Sequence, residues 1–216
     1  PKGPLRWGNV RIRDFRNYGP ELSVSEVVVK SSNIGTARIA QMIGVPRQRE
    51  FLGKLGFLKP TALEVIEAPN AVPLQPKKWS ELSLMTISYG HGLSSSPLHL
   101  AAGYATLANG GYKVAPTVLR QPRNQRGEQV MSQEAAARSL RMLREVVTEG
   151  TASLAEVPGY AVGGKTGTAD KPKTRGGGYY VDKVIATFAS VCPAHDPKYV
   201  LVVTLDEPSE NSGEEP

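Results

Sequence analysis

A single cysteine, Cys192, excludes an intrachain disulfide and any cysteine-rich metal site. It fits a reducing compartment, and equally a large secreted domain whose core needs no covalent staple. The three histidines, His91, His99 and His195, lack the H-x-x-x-H or H-E-x-x-H spacing that sets two imidazoles on one helix face. A metal enzyme is therefore not indicated. No stretch approaches the run of about eighteen apolar residues that marks a membrane-spanning helix, and Pro1-Lys2-Gly3-Pro4 has no apolar signal-peptide core.

What is present describes a globular protein: 40% of the residues are hydrophobic, enough to bury a real core. The 22 glycines and 17 prolines predict many turns rather than one helical array. Basic residues outnumber acidic ones, giving a net charge of +6, and they gather around 120–126 and 171–175. A nucleic-acid partner would need that charge in a recognisable module or in a groove interleaved with aromatics. Neither is visible, so the charge reads as solvated surface and no nucleic acid is expected.

Along the chain, helical signals come first. Ser23 followed by Glu26 is a capping-box pattern, with Val24, Val27 and Val28 on one side of the helix it opens. After Ser31-Ser32-Asn33 a second helix is expected over 34–43, with Ile39, Met42 and Ile43 facing the core, and a third from Pro46 to Gly56. Four prolines between Lys59 and Pro76 predict an extended excursion, and a short helix is expected over 79–87. Ser96-Pro97 opens another helix that stops at Gly110-Gly111, and Ser132 caps one that runs to Gly150. The period then changes. Strands are expected over 160–168, 184–191 and 199–205, the last two joined by a hairpin-length loop. The acidic stretch 207–216 has the composition of a mobile tail. Helices first and adjacent strands afterwards predict an α+β fold, an antiparallel sheet flanked by helices. The helical region spans about 21–150 and the sheet region about 158–206, within one domain.

Two short motifs carry chemistry. Ser31-Ser32-Asn33 falls at a break between helices, where side chains can face a cleft; taken alone it could be a cap or turn. Lys165-Thr166-Gly167-Thr168 ends the strand expected over 160–168, and Gly163, Gly164 and Gly167 let another group approach its backbone closely. S-x-N followed by K-T-G, with an S-x-x-K nucleophile, is the motif set of penicillin-binding proteins and serine β-lactamases. The residue types suit acyl transfer, in which a serine attacking an amide needs a base and the leaving amine needs a proton. Ser31 can relay a proton, with Lys165 holding it to that task. Asn33 offers an amide donor and acceptor to a substrate peptide bond. The hydroxyls of Thr166 and Thr168 beside the Lys165 charge suit a substrate carboxylate, and the Thr168 N–H suits an oxyanion.

At these residues the sequence resembles the class B penicillin-binding proteins, specifically the cell-division peptidoglycan D,D-transpeptidases. The resemblance runs through Lys30 to Gly35, Leu55-Gly56-Phe57, Trp79, Ser88-Tyr89-Gly90-His91-Gly92 and Ala108-Asn109-Gly110-Gly111. It continues through Gly164 to Ala169, Gly178-Tyr179-Tyr180 and Pro193 to Pro197. It implies catalytic roles for Ser31, Asn33 and Lys165. Substrate contacts are implied at Thr166, Gly167, Thr168 and Tyr89, with His91 as a wall of the cleft rather than a base. It further implies a serine acyl-enzyme formed on D-Ala-D-Ala stem peptides and acylated by β-lactam antibiotics. No metal or organic cofactor is implied. The expected setting is the periplasmic face of the inner membrane, reached through an N-terminal anchor, beside divisome proteins that include a glycan polymerase.

The sequence departs from the family pattern in one respect above all. None of its lysines has a serine three residues before it, so residues 1–216 read as a partial transpeptidase domain with the S-x-x-K nucleophile expected on a missing or companion segment. A final helix beside the sheet is expected beyond the acidic stretch. The motifs leave open an elongation-type transpeptidase, a D,D-carboxypeptidase, a serine β-lactamase, and a catalytically silent penicillin-binding or sensor domain. All the enzymes among these begin with the same acyl-enzyme.

Overall fold

The computed structural model describes residues 4–121, 126–173 and 178–208. Parts of both basic runs (122–125 and 174–175) and of the acidic stretch (209–216) lie outside the described residues. A short ribbon opens the fold, β1 (Leu5–Trp7) paired antiparallel with β2 (Val10–Ile12). Strands of three residues carry too little alternation to read from sequence, and this ribbon was not anticipated.

Among the described residues six α-helices follow: α1 (Val24–Val29), α2 (Asn33–Ile43), α3 (Val45–Leu55), α4 (Glu81–Ser88), α5 (Pro97–Ala108) and α6 (Gln133–Glu149). Their starts follow local chemistry. The Ser23 side chain accepts from the Glu26 N–H while the Glu26 carboxylate accepts from the Ser23 N–H, a complete capping box. Ser132 accepts from the Ala135 N–H at the head of α6. α3 stops at Gly56, whose φ of 92° is the left-handed C-terminal turn that glycine adopts without strain. Ser96 precedes Pro97 as expected, but its hydroxyl bonds the His99 ring at 2.7 Å instead of capping α5.

The core face of α2 differs from the one the sequence suggested. Ile34, Ala37 and Ala40 are buried, whereas Met42 is 85% exposed. Counting only large apolar residues misleads here, because small alanines let α2 approach its neighbours closely. Ile34 and Ala37 pack with Leu5, Ile12 and Met85, so the ribbon, α2 and α4 share one cluster. A second cluster joins Val29 of α1 to Val146 and Val147 of α6, with Phe188 from the sheet packed against it.

The sheet contains β3 (Gly163–Pro172), β4 (Tyr179–Cys192) and β5 (Tyr199–Asp206) in the order β3-β4-β5, all antiparallel. The 184–191 and 199–205 segments pair as anticipated, from Ile185 opposite Asp206 to Cys192 opposite Tyr199. The first strand begins three residues later than expected, because Tyr160 bridges back to Val157 in a turn. α6 packs beside β3, and α5 packs against β5 and β4. β3 has no strand on its other side among the described residues and forms an edge of the sheet.

Candidate active site

The site begins where α1 ends. The Ser32 N–H bonds the Val27 carbonyl at 2.9 Å and the Ser31 N–H bonds the Val28 carbonyl at 3.2 Å. This is the Schellman pattern of a helix end, and it requires a left-handed residue at Ser31. That position usually holds glycine; here serine adopts it with φ 55°. Ser32 then caps α2, its Oγ accepting from the Gly35 N–H at 2.9 Å. A Cβ on Gly35 would lie 2.5 Å from a methyl of Val27, so glycine is what allows α1 and α2 to meet this closely. The Ser31 side chain projects from the resulting corner.

The other half of the site comes from β3. The Arg144 guanidinium donates to the Val162 carbonyl at 2.8 Å and pairs with Glu156, which fixes the entry to the strand. Lys165 lies opposite Ala189 of β4. Its Nζ donates to Ser31 Oγ at 2.8 Å and to the Thr166 carbonyl at 3.0 Å. The structure thus joins two motifs 134 residues apart by one direct hydrogen bond. Burial holds the Lys165 ammonium below the ordinary lysine value, because a desolvated cation is disfavoured.

The remaining candidates divide. Asn33 opens α2 two residues after Ser31, and one of its amide N–H groups donates to the Arg13 carbonyl at 3.0 Å. Gly167 and Thr168 are exposed further along β3, with open space where a Gly167 side chain would stand. Thr166 Oγ1 lies 3.0 Å from Thr151 Oγ1. The Thr166 hydroxyl therefore already has a partner, supplied by a residue just past α6 that the motifs do not point to. Tyr89 has no hydrogen bond to Ser31 or Lys165 among the described residues. It packs on the cluster beneath α2, 5.5 Å from the His91 ring, and burial raises its phenol pKa. His91 lies 6.2 Å from the Tyr179 ring at the start of β4, edge to face. Among the described residues no three His, Cys, Asp or Glu side chains converge as metal ligands do.

The bond from Lys165 to Ser31, with Asn33 two residues on, brings together the S-x-N and K-T-G motifs that mark β-lactamases and penicillin-binding proteins. The family described as "Penicillin binding protein transpeptidase domain" matches residues 1–215. This chain belongs to that family. It is 35% identical over 218 residues to the probable peptidoglycan D,D-transpeptidase FtsI of Caulobacter vibrioides, covering 97% of this chain and 37% of that protein. It is 31% identical over 206 residues to the peptidoglycan D,D-transpeptidase FtsI of Escherichia coli, covering 95% of this chain and 34% of that one. The chain thus spans about a third of the length of these curated relatives. Among solved structures it resembles the transpeptidase domain of Burkholderia pseudomallei penicillin-binding protein 3. The TM-score is 0.87 at 34% identity, over 95% of this chain and 62% of that one. Penicillin-binding protein 3 of Mycobacterium tuberculosis in complex with aztreonam matches with a TM-score of 0.85 at 30% identity, over 95% and 50% of the two chains.

Proposed function

We propose that these residues form part of the transpeptidase domain of a cell-division peptidoglycan D,D-transpeptidase. The helical region is about 21–150 and the sheet region about 158–206. The observation that carries this reading is the 2.8 Å bond from Lys165 to Ser31, which makes one site of two motifs that are each unremarkable alone. The similarity to proteins named for this activity supports it over most of the chain.

In this reading the serine of an S-x-x-K segment, which these residues do not contain, attacks the carbonyl between two D-alanines of a stem peptide. An ester forms, the C–N bond breaks, and the terminal D-alanine leaves as an amine. Ser31 and Lys165 carry the serine proton to that leaving nitrogen, and the same pair later passes a proton of the attacking amine back to the serine oxygen. Asn33 holds the stem-peptide backbone. Thr168, beside the Lys165 charge and assisted by Thr166, receives the terminal carboxylate, and its N–H contributes to the oxyanion site. Gly167 leaves room for the substrate backbone, and Tyr89 supports the floor of the cleft. The amine of a second stem then attacks the ester, forming the cross-link and restoring the serine. A β-lactam that mimics the D-Ala-D-Ala bond stops at the ester.

The partners of this reading are stem peptides, β-lactams and divisome proteins with their glycan polymerase. The setting is the periplasmic side of the inner membrane, through an N-terminal anchor; no helix of the described residues is long and apolar enough to cross a membrane. Intact mass spectrometry of the full-length protein with penicillin G should show one adduct on the S-x-x-K serine. Stem peptides with an amine acceptor should then yield dimer and free D-alanine. Release of D-alanine without dimer would make it a carboxypeptidase, and absence of any adduct would refute the acyl-enzyme reading.

A further inference from the structure

Asp14 lies in the irregular stretch after β2, eighteen positions before Ser32, and both of its oxygens are used on the same corner. Oδ2 accepts the Ser32 hydroxyl at 2.8 Å and Oδ1 accepts the Ile34 N–H at 2.9 Å. One residue earlier, the Arg13 carbonyl accepts from Asn33 at 3.0 Å. Three consecutive residues of the corner are therefore held by two consecutive residues of this strap. Ser32 is 0% exposed, and its hydroxyl is fully paired, donating to Asp14 and accepting from Gly35. Ser31, just before it, is held in a backbone conformation that a side chain disfavours. Such strain persists only where the surroundings over-determine it.

We propose that Asp14 is a positioning residue of this site: its carboxylate fixes Ser32 and the first turn of α2, and so maintains the left-handed turn that presents Ser31 Oγ to Lys165. The proposal rests on the transpeptidase reading only for what the presented hydroxyl then does. Without the carboxylate, a buried hydroxyl loses its acceptor and the Ile34 N–H is orphaned at the helix start. The nearest relief is rotation of Ser32 and opening of the first turn, after which Ser31 is free to leave φ 55° and Lys165. Asparagine at position 14 removes only part of this restraint. Its oxygen can still accept from Ile34, but its N–H faces Ser32 Oγ, and the Ser32 proton is left without an acceptor.

The test uses the full-length protein as wild type, D14A, D14N, S31A and the D14A/S31A and D14N/S31A pairs, with fluorescent penicillin as probe. D14A should lower the second-order acylation rate by about tenfold to a hundredfold, with D14N between it and wild type. Adding either Asp14 substitution to S31A should slow acylation much less than it slows the wild type, because the part of its effect that runs through Ser31 is already lost and only a part through Asn33 is left. The same fold-loss in wild-type and S31A backgrounds, or no loss in either, would overturn the proposal. Should D14A fail to fold, the D14N pair gives the same comparison. Crystal structures of D14N and wild type provide a readout that needs no penicillin. Loss of the left-handed Ser31 or of its Lys165 bond in D14N supports the proposal, and retention of both overturns it. Absence of any adduct on the wild type would refute the acyl-enzyme reading and leave this structural readout to decide on Asp14.

Discussion

At the left-handed C-terminal turn of α1 a side chain costs roughly 1–2 kcal/mol that glycine does not, yet this chain places Ser31 there with φ 55°. Replacing Ser31 by glycine and by alanine separates backbone from hydroxyl. S31G should be more stable than S31A by up to about 1–2 kcal/mol in denaturant titrations, since both lose the bond from Lys165 and only glycine relieves the strain. S31A should keep the strain, and both should slow penicillin acylation by losing the Lys165 partner. Equal stability of the two variants would refute the strain argument. Lys165 predicts a pH effect. Its folded pKa lies below that of an unfolded lysine because burial disfavours the ammonium. Between those two values the unfolded chain binds more protons. The penalty of burying the charge is therefore full below the folded pKa and relieved as pH rises through it towards the unfolded value. If acylation needs the ammonium, the alkaline limb of its pH profile should fall below the ordinary lysine value of about 10.4. A limb at or above that value would count against a desolvated Lys165. T168V should slow acylation by at most about 1.5–3 kcal/mol, the worth of one hydrogen bond to a charge, with an unchanged melting temperature. At this scale the motif residues were legible because their types and spacing are chemically restrictive. Asp14 and Thr151 were not. Each acts through a tertiary contact, from an irregular strap or a helix end, that no local period announces.

Two glycines of β3 look alike in sequence but behave differently in the sheet. A Cβ on Gly164 would stand 2.7 Å from both the Ala189 carbonyl oxygen and the Phe188 ring, whereas one on Gly167 would meet nothing within 4 Å. G164A should therefore force β3 away from β4 and destabilise by about 1–3 kcal/mol, as overpacking does. G167A should leave folding intact and, by placing a methyl in the cleft, reduce acylation alone. Denaturant curves and penicillin-binding rates on the two variants check this; equal stability losses would mean that the register of β3 has been misread. Helix starts and strand pairing were readable because caps, prolines and valine-rich alternation are local signals, as at Ser23, Ser132 and 184–191. The buried face of α2 was not. Its contacts use Ala37 and Ala40, and whether small residues are buried depends on how near the neighbouring helix comes.

The described residues join the Ser31–Lys165 corner to broad exposed apolar surface. Near Ser31, α2 exposes Met42 and Ile43. On β5, Tyr199, Leu201, Val203 and Leu205 are all exposed, and their alternation puts them on one side of the strand. Residues 1–216 on their own should accordingly bind a dye that reports apolar surface, or self-associate, more than the full-length protein does. The chemistry leads to a sharper expectation. These residues hold the Ser31 corner, Lys165 and the threonines of β3, to which the proposed function gives the proton relay and the carboxylate contacts, but no serine three positions before a lysine. Hydrogen-bonding groups stabilise a transition state that a nucleophile has already begun to form, and they cannot replace the atom that makes the ester. Ser31 does not fill that role. Its hydroxyl oxygen accepts a hydrogen bond from the Lys165 ammonium, which lowers its nucleophilicity. Incubation of residues 1–216 with fluorescent penicillin, followed by denaturing electrophoresis and intact mass measurement, should therefore show no stable adduct, while the full-length protein labels stoichiometrically. A one-to-one adduct on the isolated residues would overturn this, and peptide mapping would then place the nucleophile at Ser31 or another serine of this chain.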